Sequence, residues 1–266
     1  MMEFPVKERY GIEELLQIMQ MLRSPGGCPW DRDQTHLSIR NNFLEETHEA
    51  IEAINNGDNA ALREELGDVL LQIVFHARIA EEEGAFRFDD VVDEIARKLV
   101  VRHPHVFGDV VADNTDDVLR NWDAIKRETK GDKTQADLLR AVPRSLPALM
   151  RAEKIQGRAA RVGFDWPDES GAVAALGNEL DELRRAIDSG DISAVEDELG
   201  DVLFSAVNAA RFLHVDAEQA LMCSSDKFIR RFDGVEQLAG QRGIVMSDAG
   251  LTVLDSLWEE VKAQEK

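Results

Sequence analysis

Glu46 and Glu49 stand three residues apart, and so do Glu65 and Asp68. Carboxylates at that spacing share one face of an α-helix. Between the two pairs lies Asn55-Asn56-Gly57-Asp58, a helix breaker, so the stretch from Glu45 to Asp68 reads as two helices folded back on each other. Glu49 and Glu65 are equally far from Gly57, as are Glu46 and Asp68. An antiparallel hairpin in that register gathers four carboxylates at one height. Their repulsion calls for a positive charge between them, and oxygen ligands without Cys or clustered His favour a hard divalent cation, Mg²⁺ first and Mn²⁺ next. A lone Glu-x-x-Glu is ordinarily a solvated helix face. The mirrored second pair argues against that here.

The arrangement occurs twice. Asn178-Glu179-Leu180-Asp181-Glu182 is followed by Asp188-Ser189-Gly190-Asp191 and then by Asp197-Glu198-Leu199-Gly200-Asp201. Laid over the first copy without a gap, roughly half the positions from Glu45 to Arg78 match those from Asn178 to Arg211. Glu179, Glu182, Glu198 and Asp201 mirror about Gly190 as the first four do about Gly57. A solvated face has no reason to repeat its register, so both sets are candidate metal ligands.

The elements that must hold these groups are helices. Ile12 to Arg23 carries Ile12, Leu15, Leu16, Met19 and Leu22 on one face, and Ser24-Pro25-Gly26-Gly27-Cys28-Pro29 ends it. Trp30-Asp31 and Gln34-Thr35-His36 lead into the first carboxylate helix, and the second continues through Val69, Leu70, Ile73, Val74 and Ala77. Asp89 or Asp90 is the expected cap of a further helix that ends at His103-Pro104-His105. A last helix of the half is expected over Asp117 to Thr129. In the second half, Leu149 to Val162 matches the leading helix, and helices are expected over Asp216 to Phe232 and Val253 to Lys262. No β-alternation of useful length occurs. The expected fold is all-α, two tandem four-helix bundles over residues 1–134 and 135–266, with the linker within 129–147.

Basic and aromatic positions repeat as well. Lys98 and Arg102 match Lys227 and Arg231, and Trp122 with Lys126 matches Trp258 with Lys262; Arg230 adjoins the second basic pair. A divalent cation among carboxylates, met by Lys and Arg, suits phosphate chemistry. The cation bridges phosphate oxygens and acidifies water, a neighbouring carboxylate orients or deprotonates that water, and basic side chains stabilise the leaving pyrophosphate.

A formal net charge of −21 argues against a nucleic-acid polymer or an anionic membrane surface as the main partner. Cys28 and Cys223, the only cysteines, occupy non-equivalent positions and read as free thiols of a reducing compartment. Without a signal-peptide pattern or an apolar run of membrane length, a soluble cytoplasmic protein is expected.

The Glu-Glu-x-x-Glu and Glu-x-x-Asp pattern, its duplication and Cys28-Pro29-Trp30-Asp31 near the start closely resemble the MazG family over nearly the whole chain. The resemblance implies hydrolysis of NTPs and dNTPs to the monophosphate and pyrophosphate with Mg²⁺, by a homodimer of tandem helical domains. Related all-α enzymes act on dUTP or dCTP. Carried over by position, it implies metal ligation by Glu46, Glu49, Glu65 and Asp68 and by Glu179, Glu182, Glu198 and Asp201. Glu45 joins Glu46 and Glu49 as catalytic. Lys227, Arg231 and Trp258 fall where the family's second domain meets the triphosphate and base. The leading Glu of the motif, Glu45, becomes Asn178 in the second copy, which cannot take a proton but can still bind substrate by holding a water or a phosphate oxygen. The first domain is therefore expected to contribute more of the activity.

Two other readings fit parts of the pattern. Glu45-x-x-His48 has the spacing of a di-iron carboxylate bundle, although the second hairpin strand offers no His partner and the repeat has Asn178 and Asp181 there. A metal-stabilised acidic scaffold for a protein partner would explain the charge and not the repeated Lys and Arg. His36, His48, His76, His103, His105 and His214 show no ligand spacing.

Overall fold

The structure is a computed structural model that describes residues 4, 6–108, 110 and 134–265. Every regular element among them is helical, and the chain divides into two compact units, Met1–Lys130 and Gly131–Lys266. The helix expected over Asp117 to Thr129, with Trp122 and Lys126, lies outside the described residues.

In the first unit α1 (Ile12–Arg23) ends where the chain folds back on its last turn. Cys28 N–H donates to Leu22 O at 2.8 Å, and a Cβ on Gly27 would stand 2.2 Å from that same oxygen, so only glycine fits the return. Pro29 opens the short α2 (Pro29–Asp33). Then come α3 (Arg40–Asn56) and α4 (Asn59–Glu82), joined through Gly57 at φ 65°. Asp58 caps α4 by accepting from Ala60 N–H at 2.9 Å and Ala61 N–H at 3.1 Å. α5 (Phe88–Arg102) and the four-residue α6 (Pro104–Phe107) follow. Neither Asp89 nor Asp90 is the cap of α5: the cap is Arg87, two residues before Asp89, and Asp90 accepts the Arg87 N–H from inside the first turn at 2.8 Å.

Met19, Ile39, Val74, Phe75 and Ile79 form the core of this unit, with Leu15, Leu16, Leu71 and Phe88 against it. It grips the C-terminal half of α4 and leaves the carboxylate half free of large apolar burial. Arg23, 8% exposed, crosses this core. It donates to the Glu82 carboxylate at 2.8 Å and to Gln34 O at 3.2 Å, with its guanidinium 5.3 Å from the Phe75 ring centre.

The second unit contains α7 (Gln135–Arg140), α8 (Ala148–Ala160), α9 (Glu169–Ser189), α10 (Ile192–Phe212), α11 (Ala217–Gln241) and α12 (Met246–Gln264). Gly190 turns the α9–α10 hairpin at φ 73°, and Asp191 caps α10 as Asp58 caps α4. The helix expected to stop at Phe232 runs on to Gln241, because Val235, Leu238 and Ala239 prolong its apolar stripe against Leu254, Leu257 and Val261. The final helix starts earlier than expected, with a non-helical residue at Gly250 (φ 71°, ψ 161°).

Candidate metal centre

The hairpins place carboxylates from two helices in one group. Ligand oxygens of Glu46, Glu49 and Glu65 all lie within 4.8 Å of one another, and so do those of Glu179, Glu182 and Glu198. The small buried residues Ala50 and Ala53 on α3, and Ala186 on α9, keep the helix axes close enough for this. Asp68 and Asp201 fall outside the two tight groups, each being one methylene shorter than the Glu it mirrors. Their charges still reach the site.

Burial, then the charges of Asp68, Glu49 and Glu45, pushes the Glu46 carboxyl above the usual carboxylate range. Glu65 is raised by burial and then by Glu49 and Asp68. Glu198 is raised by burial and then by Glu182, Asp201 and Glu179. These carboxylates therefore repel one another.

No Lys, Arg or His among the described residues makes a salt bridge with Glu46, Glu49 or Glu65. The second group differs, since Arg185 Nη2 stands 3.2 Å from Glu182 Oε1. All-oxygen donors on facing helices fit a hard divalent cation and give no soft or imidazole ligand. No His joins either group among the described residues, which removes the support for a di-iron reading from Glu45 and His48.

Glu45 is exposed next to Glu46 and outside the tight group, and Asn178 is exposed at the matching place in α9. On α5, Lys98 is exposed and Arg102 half-buried. On α11, Lys227 is exposed, while Arg231 and Arg230 meet Glu265 at 2.7 Å and 3.7 Å. The hydrogen bond from Arg231, with the charges of Arg231 and Arg230, holds Glu265 below the usual carboxylate range. Trp258 packs against Val235, Ala239 and Leu257, with the Phe228 ring 5.1 Å away and the Arg231 guanidinium 5.9 Å from its ring centre. Phe228, Arg230 and Arg231 of α11 thus form one assembly with Trp258 of α12 and Glu265 at its end.

One pairing has no signal in the sequence. His36 and His76, 40 residues apart, bring Nδ1 to Nδ1 at 2.7 Å with nearly parallel rings. Burial, then the neighbouring His36, holds His76 below the usual imidazole value.

The model of the MazG nucleotide pyrophosphohydrolase domain matches this chain twice, over residues 34–107 and 169–235. The chain belongs to the MazG family. Each matched segment encloses one carboxylate hairpin, and Trp258 lies beyond the second. The nucleoside triphosphate pyrophosphohydrolase of Escherichia coli K12 is 47% identical over 96% of this chain and 98% of its own length. The nucleoside triphosphate pyrophosphohydrolase/pyrophosphatase MazG of Thermotoga maritima is 45% identical over 94% of this chain and 95% of its own. A crystal structure of a MazG-related protein from Thermotoga maritima overlaps 43% of this chain and 98% of its own, at 25% identity and a TM-score of 0.38. Among the described residues of this MazG protein, no helix is long and apolar enough to cross a membrane.

Proposed function

We propose that this MazG protein hydrolyses nucleoside triphosphates, both NTPs and dNTPs, to nucleoside monophosphate and pyrophosphate with Mg²⁺, or Mn²⁺ in its place, as a cytoplasmic homodimer with domains over residues 1–134 and 135–266. The observation that carries the reading is the group of Glu46, Glu49 and Glu65, three carboxylates within 4.8 Å and without a cationic partner among the described residues. The names of the relatives support the same reaction.

Glu46, Glu49, Glu65 and Asp68 would hold the cation in the first domain, and Glu179, Glu182, Glu198 and Asp201 would hold it in the second. A bound divalent cation would neutralise phosphate charge and lower the pKa of water at this group. Glu45, exposed beside the group, accepts the proton of the attacking water. Water adds across the bond between the α- and β-phosphates, and pyrophosphate leaves. Lys98 and Arg102 in the first domain, with Lys227, Arg230 and Arg231 in the second, receive the charge of the leaving group. Trp258, its ring centre 5.9 Å from the Arg231 guanidinium, contacts the substrate beside that cation, and the repeat gives Trp122 as the corresponding substrate-binding residue of the first domain. Asn178 in place of a carboxylate, together with the Arg185 contact to Glu182, supports the first domain as the stronger hydrolase.

The test is product-resolved hydrolysis of mixed NTPs and dNTPs, dUTP and dCTP included, by wild type, Glu49→Gln and Glu182→Gln. Glu49→Gln is expected to lower kcat roughly 100-fold, the scale of losing a catalytic acid–base arrangement, and Glu182→Gln by less. No metal-dependent release from wild type on any nucleotide would leave a metal-stabilised scaffold. Turnover of dUTP or dCTP alone would narrow the substrate class.

A further inference from the structure

Residues 140–161 carry Arg140, Arg144, Arg151, Lys154, Arg158 and Arg161 against one acid, Glu153, in a chain whose formal net charge is −21. A basic stretch in an acidic protein is the place where the local field draws anions in instead of repelling them. Arg151, Lys154, Arg158 and Arg161 follow at steps of three, four and three residues, so they share one face of α8 and its C-cap. Arg140 and Arg158 are engaged within the chain, Arg140 by Asp137 at 3.0 Å and Arg158 by Leu138 O. Arg144, Arg151 and Lys154 make no ion pair and no side-chain hydrogen bond among the described residues.

Two of these three line one cavity. Arg144, on the turn before α8, and Arg151, in α8, enclose an open volume of about 520 Å³ with Leu146 and Ala148. Arg144 is exposed; Arg151 is half-buried, and its Nε is buried without a hydrogen-bond partner. A guanidinium cannot shed its charge, so half-burying one without a counterion costs free energy that a bound anion recovers. Glu218 of α11 reaches the start of α8, where it accepts the Met150 N–H at 3.4 Å, and it forms a salt bridge with neither arginine. The chain has 52 Asp and Glu, yet no carboxylate among the described residues has taken either guanidinium.

The planar fork of an arginine matches the paired oxygens of a phosphate, and two forks at one cavity suit an anion with two adjacent charged groups. Leu146 and Ala148 bring no carboxylate to hold a cation, so the anion binds without one. The cavity shares no lining residue with α9, α10, α11 or α12, and so none with Glu179, Glu182, Glu198 and Asp201 or with Lys227, Arg231 and Trp258. We propose that Arg144 and Arg151 form a metal-independent site for a phosphate chain, either free pyrophosphate or the diphosphate of a nucleotide, apart from the site of hydrolysis.

The experiment is calorimetric titration of the full-length protein in EDTA with pyrophosphate, inorganic phosphate, ADP and citrate. Wild type is compared with Arg144→Ala, Arg144→Lys, Arg151→Ala and Lys227→Ala, and circular dichroism checks their folding. Arg144 is exposed, so its variants decide the matter even where Arg151→Ala fails to fold. Wild type is expected to bind pyrophosphate at least tenfold more tightly than phosphate or citrate. Arg144→Ala and Arg151→Ala should each lose at least tenfold, Arg144→Lys should fall between because it keeps the charge and loses the fork, and Lys227→Ala should match wild type. ADP binding as tightly as pyrophosphate supports the site with a nucleotide as its source, and pyrophosphate alone supports it with the free anion.

Equal pyrophosphate affinity in wild type and Arg144→Ala overturns the proposal, and so does citrate binding as tightly as pyrophosphate. Binding lost in Lys227→Ala and kept in Arg144→Ala also overturns it, since the anion would then sit at the triphosphate site. With Mg²⁺, Arg144→Ala should hydrolyse nucleoside triphosphates with kcat and KM within twofold of wild type; a tenfold loss of kcat would make the arginine part of the reaction and end the claim of a separate site. Absence of hydrolysis by wild type would sink the reaction proposed above, while the metal-free titration would still decide the cavity.

Discussion

Arg185 Nη2 stands 3.2 Å from Glu182 Oε1, one turn along α9, and the residue matching Arg185 in the first unit is Glu52. The second carboxylate group therefore carries a cation of its own, where the first carries a further acid. Arg185 is 70% exposed, so the pair is weak and salt-sensitive. Replacing Arg185 by Ala should tighten divalent binding at the second group roughly threefold to tenfold at low salt, and the gain should fade as the ionic strength rises. Mn²⁺ titration followed by electron paramagnetic resonance, in a Glu49→Gln background, would show it; unchanged affinity at low salt would mean that Arg185 does not compete with the cation.

The raised carboxyls give a pH prediction for the metal-free protein. Glu46, Glu65 and Glu198 hold their protons more readily folded than unfolded. The folded form then binds more protons, and stability falls as pH rises through the ordinary carboxyl value and on through the raised one. Melting curves across that window should show the decline without metal and its suppression with Mg²⁺. Glu65→Gln should melt higher than wild type at neutral pH without metal. A lower melting point would contradict the repulsion.

Glu82 behaves in the opposite sense. Burial pushes its carboxyl up, but hydrogen bonds from Arg23 and Arg78 outweigh this and hold it below the usual range. Its contribution is present above the ordinary carboxyl value and is lost as pH falls through the depressed one. Glu82→Gln leaves the buried Arg23 charge without its counterion, at a cost on the order of 3 kcal/mol. Urea unfolding of the first unit should shift accordingly and lose part of its acid sensitivity.

Gly234 sets the approach of α11 to α12, because a Cβ there would be 2.9 Å from Val261 Cγ1. Gly234→Ala should destabilise the second unit by about 1–3 kcal/mol through overpacking. The Gly234→Ala/Val261→Ala double variant should recover part of that loss, beyond the sum of the two single changes. Strict additivity in denaturant unfolding would place the cost elsewhere.

The His36–His76 contact requires one Nδ1 to donate to the other, so the pair carries at least one proton across it. With His76 held below the usual imidazole value, the unfolded chain takes up protons first, and first-unit stability should drop as pH falls through that value. His76→Phe should flatten the acid side of a melting profile between roughly pH 7 and 5. An unchanged slope would show that the pair does not contribute.

Much of this protein was legible in its residue order because the informative features are local. Helix period assigns Glu46 and Glu49 to one face, and Asn-Asn-Gly-Asp and Asp-Ser-Gly-Asp each supply a glycine for the left-handed turn and an aspartate for the next cap. Those signals act within a few residues, so the hairpins and their mirrored carboxylates follow from spacing. The repeat then carried the all-α class and the doubled layout. The end of α11 was less legible, since Gly234 within a helix reads as a weakness until Val261 is seen packed against it.

Tertiary structure decided what depends on residues distant along the chain. Spacing alone put four carboxylates at one height; packing brought three within 4.8 Å in each unit and left Asp68 and Asp201 outside those groups. Arg231 met Glu265 and Trp258 at an end of the unit that periodicity does not reach. His36 found His76, and Met19, Ile39 and Phe75 closed one core. The residue order by itself determined the helices, their turns and the chemistry of the hairpin, through interactions only a few residues long. Which charges are answered and which volumes are filled was decided only when non-adjacent helices packed, because burial and ion pairing depend on neighbours in space.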